Sequence, residues 1–271
     1  MSLEVQPAKP ISTLSEEKSS LSNYQPIETE DRVEITPQRP PSLVHSVVSE
    51  FHSLPPKPQD LAALKYRFRA LFGQERYAET FYLIKSLPKT MLDASILTIL
   101  SYCEYNMGRT SASYESLNKA IALHPQDAEA YKLRGDLHTK FNKHDEALSD
   151  YTIARHIAPC NVEISVKKAQ TLIALNRLDE AIELLYRESR LNEDDYRVWF
   201  CYGNAFFIKE DFINAIAAFT QAIKHCPSDP RSYEQRSLAF EAVGDEDAAR
   251  KDIFEAQSVW KKIRENRLSE R

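Results

Sequence analysis

Residues 196–227 read YRVWFCYGNAFFIKEDFINAIAAFTQAIKHCP. Trp199, Tyr202 and Phe206 recur at three- and four-residue steps, the spacing of one helical face. Ala215, Phe219 and Ala222 repeat that spacing, and Pro227 closes the stretch. Small residues such as Gly203 and Ala215 let two helices approach closely, while the large ones fill the gap between them. The pattern returns at a fixed interval. Ala147, Ala181, Ala215 and Ala249 stand 34 residues apart. Tyr151, Leu185, Phe219 and Ile253 keep step four positions later, all large and apolar. Upstream, Ser113, Leu117, Ala120 and Pro125 fit the same frame, and Ala78 and Tyr82 fit it after one inserted residue. A sustained period of this length marks an array of helical repeats.

These residues resemble the tetratricopeptide repeat, a helix–turn–helix unit of 34 residues. The best-fitting stretch is Trp199, Tyr202, Gly203, Phe206, Ala215, Phe219, Ala222 and Pro227. Tyr131, Gly135, Ala147, Tyr151, Ala154 and Pro159 come next. The resemblance implies an all-α fold: an α-solenoid, coiled as a right-handed superhelix, of about six hairpins over 59–263. The units are 59–93, 94–127, 128–161, 162–195, 196–229 and 230–263. A C-terminal capping helix ends over 264–271, the polar-faced cap a solenoid needs for solubility. Unit 162–195 departs from the pattern, with Ser165 in place of the aromatic and Glu193 in place of proline. Unit 59–93 lacks the small-residue pair near its start. Asp127, Asn161 and Ser228-Asp229-Pro230 stand where helices begin, matching N-cap and first-turn preferences. Gly73, Gly108 and Gly244 fall at the turns inside units, where glycine supplies positive φ at little cost.

Ahead of the repeats the composition changes. Nine of the 14 prolines lie in residues 1–58, with 8 acidic and 5 basic residues. Such a stretch buries too little apolar surface to order, so 1–58 is predicted to be a disordered Pro/Ser-rich tail. One island interrupts it. Leu43, Val44, Val47, Val48, Phe51 and Leu54 form a helical stripe over 43–54, stopped by Pro55 and Pro56. That segment either packs on the following repeats or serves as a docking or self-masking element.

Several functions are disfavoured. The whole chain is 271 residues, 42% hydrophobic and 28% charged, with net charge −5. An acidic balance argues against nucleic acid as a partner. No run approaches 18 apolar residues, so membrane insertion is not expected. The N-terminus lacks the basic and apolar regions of a secretory signal, which places the chain in the cytoplasm or nucleus, with Cys103, Cys160, Cys201 and Cys226 as reduced thiols. Only five glycines occur and no phosphate-cradling Gly-rich loop. No nucleophile elbow, HExxH or paired-cysteine motif occurs, and His156 with Cys160 and His225 with Cys226 are the only close His/Cys neighbours. Hence no catalytic residues, no cofactor and no metal are expected, and the chain is not read as an enzyme.

What remains is a surface. In the family resembled, the first helix of each unit lines a concave groove that takes a peptide or helix of a partner protein. The matching positions are Tyr102, Tyr105 and Asn106; Lys132, Asp136 and Thr139; Val166, Lys167, Gln170 and Ile173; Arg197, Phe200, Asn204 and Phe207; and Arg231, Gln235 and Leu238. Lys132, Lys167 and Arg197 form a mildly positive stripe suited to an acidic or C-terminal carboxylate ligand. Phe200 and Phe207 make their helix apolar nearly all round. Either a neighbouring helix or the 43–54 segment covers the second face, or it is an exposed patch that captures a ligand.

Co-chaperones of this family hold an acidic heat-shock-protein tail in a two-carboxylate clamp. Here Asp136 and Lys167 stand where asparagines are required and Cys201 where an arginine is required, so no clamp is expected. The resemblance implies a non-enzymatic scaffold or adaptor within a larger complex. A client-shielding chaperone and a regulatory subunit of a multi-chain enzyme are the alternatives, and self-association stays open.

Overall fold

The computed structural model describes residues 58–269, so the acidic tail and the 43–54 stripe lie outside the described residues. Twelve α-helices occur among the described residues, with no strand. They are α1 (Pro58–Gly73), α2 (Tyr77–Lys85), α3 (Ala94–Asn106), α4 (Thr110–Leu123), α5 (Ala128–Lys140), α6 (His144–Ile157), α7 (Val162–Ala174), α8 (Leu178–Leu191), α9 (Tyr196–Ile208), α10 (Phe212–His225), α11 (Pro230–Val243) and α12 (Glu246–Ser269). Each odd-numbered helix pairs with the next as a hairpin, and each hairpin packs on the following one. The fold is all-α, a stack of helical hairpins.

The starts of the first helices are fixed chemically. Asp93, Asp127, Asn161, Asp195 and Asp229 recur every 34 residues, and each side-chain oxygen accepts a backbone N–H of the helix it precedes. This satisfies amides that have no partner inside the helix.

The turns within hairpins also repeat. Glu75, Gly108, Asn142, Asn176, Glu210 and Gly244 all have positive φ, between 57° and 85°. Gly108 and Gly244 fill this position as the sequence predicts. Gly73 does not: α1 runs through it, and the left-handed turn falls two residues later on Glu75.

The packing between paired helices follows size complementarity. A Cβ added at Gly203 would stand 2.5 Å from the ring of Phe219, and one at Gly135 would stand 2.8 Å from the ring of Tyr151. In step with these pairs stand Ser101 and Leu117, Ala169 and Leu185, and Ser237 and Ile253. An aromatic ring on the second helix thus faces glycine, and an aliphatic side chain stands in register with alanine or serine.

Hairpin 162–195 departs in a second way. Ser165, in the aromatic position, is fully buried and donates to Glu188 at 2.8 Å. Glu188 also accepts from Arg155 at 2.9 Å and from Asn192 at 3.1 Å.

Polar clamps tie other hairpins together. Arg134 on α5 grips Asp150 on α6 with Nε and Nη2, while its Nη1 reaches Asn118 on α4. Arg236, three repeats on, does the same with Asp252 and Thr220. The last hairpin carries a different feature: its second helix and the predicted capping helix are one continuous element of 24 residues.

Candidate protein-interaction surface

The first helices α3, α5, α7, α9 and α11 stand side by side as one wall, in contact with one another at several steps. Polar rungs cross it. Lys132 on α5 bonds Glu163 on α7 at 3.0 Å, Lys167 on α7 meets Asp136 on α5 at 3.1 Å, and Gln170 on α7 approaches Cys201 on α9 at 3.5 Å. Tyr102, Asp136, Gln170, Asn204 and Leu238 form one register along the wall, each 34 residues after the last.

The expected positive stripe is corrected by this geometry. Lys132 is buried and held by Glu129 and Glu163. Burial by itself would lower its pKa, yet hydrogen bonds and charge from these two acids raise it. Lys167 is balanced by Asp136, which also accepts the Tyr151 hydroxyl at 2.6 Å. Arg197 bonds Asp195 through Nε and Nη2 at 3.0 and 2.6 Å, and that hydrogen-bonded carboxylate holds the guanidinium above its ordinary range. Arg231 grips Asp229 in the same way, and its charge lies 5.3 Å from the Phe200 ring centroid. Each cation therefore serves the acid beside it, and the wall offers little net charge to an acidic ligand.

Phe200 and Phe207 are not free-standing. Phe200 packs at 6.0 Å from Phe219 and under Arg231, and Phe207 packs edge-on against Phe212 at 5.4 Å. Both join the core formed by Ala215, Phe219 and Ala239, which leaves them half-buried. Cys201 is buried, and burial pushes its thiol up to about 12.

Tyr102 is half-buried with its ring 5.9 Å from that of Tyr77, and Lys140 lies 4.9 Å over the ring of Tyr105. Asn204 and Gln235 are half-buried, and their side-chain amides bond no other described residue. The wall thus gathers Gln170, Asn204 and Gln235 between apolar side chains. The acids that neutralise the stripe, Glu163 above all, were missed by sequence reasoning. Glu129 and Glu163 stand 34 residues apart, a step that the count over apolar positions passed over.

No group of three or more His, Cys, Asp or Glu able to hold a metal lies among the described residues. None of their helices is long and apolar enough to cross a membrane.

Residues 104–161 and 166–230 match the family model of the tetratricopeptide repeat. These two stretches are tetratricopeptide repeats. The repeat region is similar to heat shock protein STI1 of Saccharomyces cerevisiae, at 29% identity over 130 residues, covering 48% of this chain and 19% of that protein. It is also similar to human protein O-mannosyl-transferase TMTC1, at 26% identity over 125 residues, covering 45% of this chain and 14% of that one. The chain thus spans less than a fifth of the length of these curated relatives. The solved structure of Pseudomonas aeruginosa PilF superposes with a TM-score of 0.65 at 12% identity, covering 74% of this chain and 92% of that one. That likeness is one of fold.

Proposed function

We propose that this protein is a non-enzymatic protein–protein interaction adaptor whose wall of first helices receives an extended, uncharged segment of a partner. One observation carries the reading. The wall's cations are bound to neighbouring acids, while Gln170, Asn204 and Gln235 offer side-chain amides beside Phe200, Phe207 and Leu238. An amide both donates and accepts, which suits a peptide backbone. Half-buried aromatics beside it supply the apolar contact that anchors such a segment. Tyr102 and Tyr105 extend the same wall toward the first hairpin. A cytoplasmic or nuclear place belongs to this proposal, and the four unpaired cysteines support it.

The test is a library of labelled dodecapeptides bound to the full chain and to the Gln170→Ala/Asn204→Ala variant. Uncharged peptides should be enriched, and their affinity should fall about tenfold in the variant at unchanged helicity, the loss of two or three hydrogen bonds. Enrichment of peptides ending in Asp or Glu would overturn the reading.

The similarity to STI1 supports a second reading, a co-chaperone. The side chains at the clamp positions are engaged within this chain, which supports a role without a two-carboxylate clamp. Asp136 is engaged by Lys167 and Tyr151, Lys132 by two glutamates, and Cys201 is buried. A co-chaperone role would therefore act by shielding a client rather than by holding an acidic tail.

A further inference from the structure

The last hairpin differs from those before it in what covers its second helix. Leu117, Tyr151, Leu185 and Phe219 occupy one register of the second helices, and none is more than 1% exposed. Ile253 holds the same register on α12 and is 38% exposed. The cause is the neighbour. α4, α6, α8 and α10 are each covered by the first helix of the next hairpin, and among the described residues none follows α12. α12 is also longer, 24 residues against 14 for each of those four helices.

The extension is not a purely polar cap. At 3.6 residues per turn, Ile253, Trp260, Arg264, Arg267 and Leu268 fall on one face, with Phe254 at its edge. Phe254 and Leu268 are about 70% exposed. Trp260 is pinned by its indole N–H, which donates to Glu234 at 2.7 Å. Arg264 and Arg267 are exposed and form no ion pair with a described residue.

We propose that this face of α12 docks an acidic amphipathic helix of a partner protein, seated where a further first helix would pack. The shape argument is the register: the place beside Ile253 is the one a first helix fills on each preceding second helix. Charge selects the occupant. A second copy stacking end to end would bring α1, on which Arg67 is exposed, against Arg264 and Arg267. Two α12 faces meeting across a twofold axis would also oppose like charges. An acidic helix meets both guanidinium groups and covers Ile253, Phe254 and Leu268. This surface lies on the second-helix side of the last hairpin, so it stands or falls apart from the wall of first helices.

The experiment uses the full chain and a fluorescein-labelled 18-residue helical peptide. Its leucines are spaced at three and four residues, and its remaining positions are glutamate. Fluorescence anisotropy should show saturable binding. Affinity should fall at least about tenfold for Arg264→Glu/Arg267→Glu, two exposed changes that leave helicity intact, and again for Leu268→Ser. The same peptide with lysine for glutamate should not bind. Four results would overturn the proposal: no binding of the glutamate peptide, equal binding by the charge-reversed variant, equal binding of the lysine peptide, or cosedimentation with phosphatidylserine–phosphatidylcholine vesicles in place of peptide binding. A dimer in sedimentation equilibrium that Arg264→Glu/Arg267→Glu abolishes would overturn it as well, by placing a second copy on the face.

Discussion

Hairpins 196–229 and 162–195 share one backbone frame, and the second adds a buried polar network to its apolar core. In the first, the Phe219 ring lies against Gly203, with Phe200 and Phe207 packed around the same core. In the second, Ala169 and Leu185 share a buried apolar cluster, and the aromatic position is a buried serine bonded to a buried carboxylate. Apolar contact is non-directional and scales with area. A buried carboxylate stabilises only when each acceptor site finds a donor, and Glu188 finds three. The helix frame is therefore set by spacing and capping, while the material between helices is exchangeable.

The largest effect is expected at the ring. Phe219→Ala should cost about 3–5 kcal/mol in chemical denaturation, because the cavity it leaves is walled by helices fixed at their own N-caps. A loss below about 1 kcal/mol would mean that α9 and α10 collapse onto each other and that the ring does not set their separation.

Glu188→Ala comes next, at about 2–3 kcal/mol, since it leaves the Ser165 hydroxyl, which still accepts from Arg155 Nε, without an acceptor for its own hydrogen and leaves Arg155 without its acid. Arg155 is 29% exposed, and water takes up part of that loss. Glu188→Gln should recover a share of it by accepting from Ser165. If both variants match wild type, the carboxylate network does not hold this hairpin, and the contrast with hairpin 196–229 disappears.

A smaller effect tests the pairing itself. Gly203→Ala should destabilise by about 1–2 kcal/mol, the clash with Phe219 outweighing the better helix propensity of alanine. Combined with Phe219→Leu it recreates the Ala169/Leu185 pair, and the two changes should couple favourably by at least about 1 kcal/mol in a double-mutant cycle. Simple additivity would show that the two positions are chosen independently.

The apolar half of this design was readable in the sequence. Ala147, Ala181, Ala215 and Ala249 are in step because paired helices must approach, and Asp127 and Asn161 are in step because each first helix must be capped. The polar half was not. Ser165 and Glu188 belong to one network with Arg155, but the three residues sit on three helices at separations unrelated to 34, so Ser165 looked like a lapse from the pattern. Lys132 and Lys167 read as free cations because a sequence does not tell which acid on a neighbouring first helix they reach. Phe200 and Phe207 looked surplus because their cover comes from Arg231 and Phe212, side chains on other helices. Only the fold brings those groups together.

The smallest effect lies in the turns, where the two hairpins again differ. Asn176 and Glu210 hold the same left-handed position, at φ 57° and 63°. Asparagine tolerates that region because its short polar side chain bonds locally, whereas glutamate gains nothing comparable. Glycine removes the steric cost at either site but loses more entropy on folding. The two terms should nearly cancel for Asn176→Gly and leave Glu210→Gly stabilised by about 0.5–1 kcal/mol. Paired thermal melts at one protein concentration would read this as a higher midpoint for Glu210→Gly alone. Equal shifts would mean that the fold imposes the left-handed turn whatever residue occupies it. Hairpin 196–229 would then tolerate glutamate because its apolar core holds the two helices firmly enough for the turn to follow.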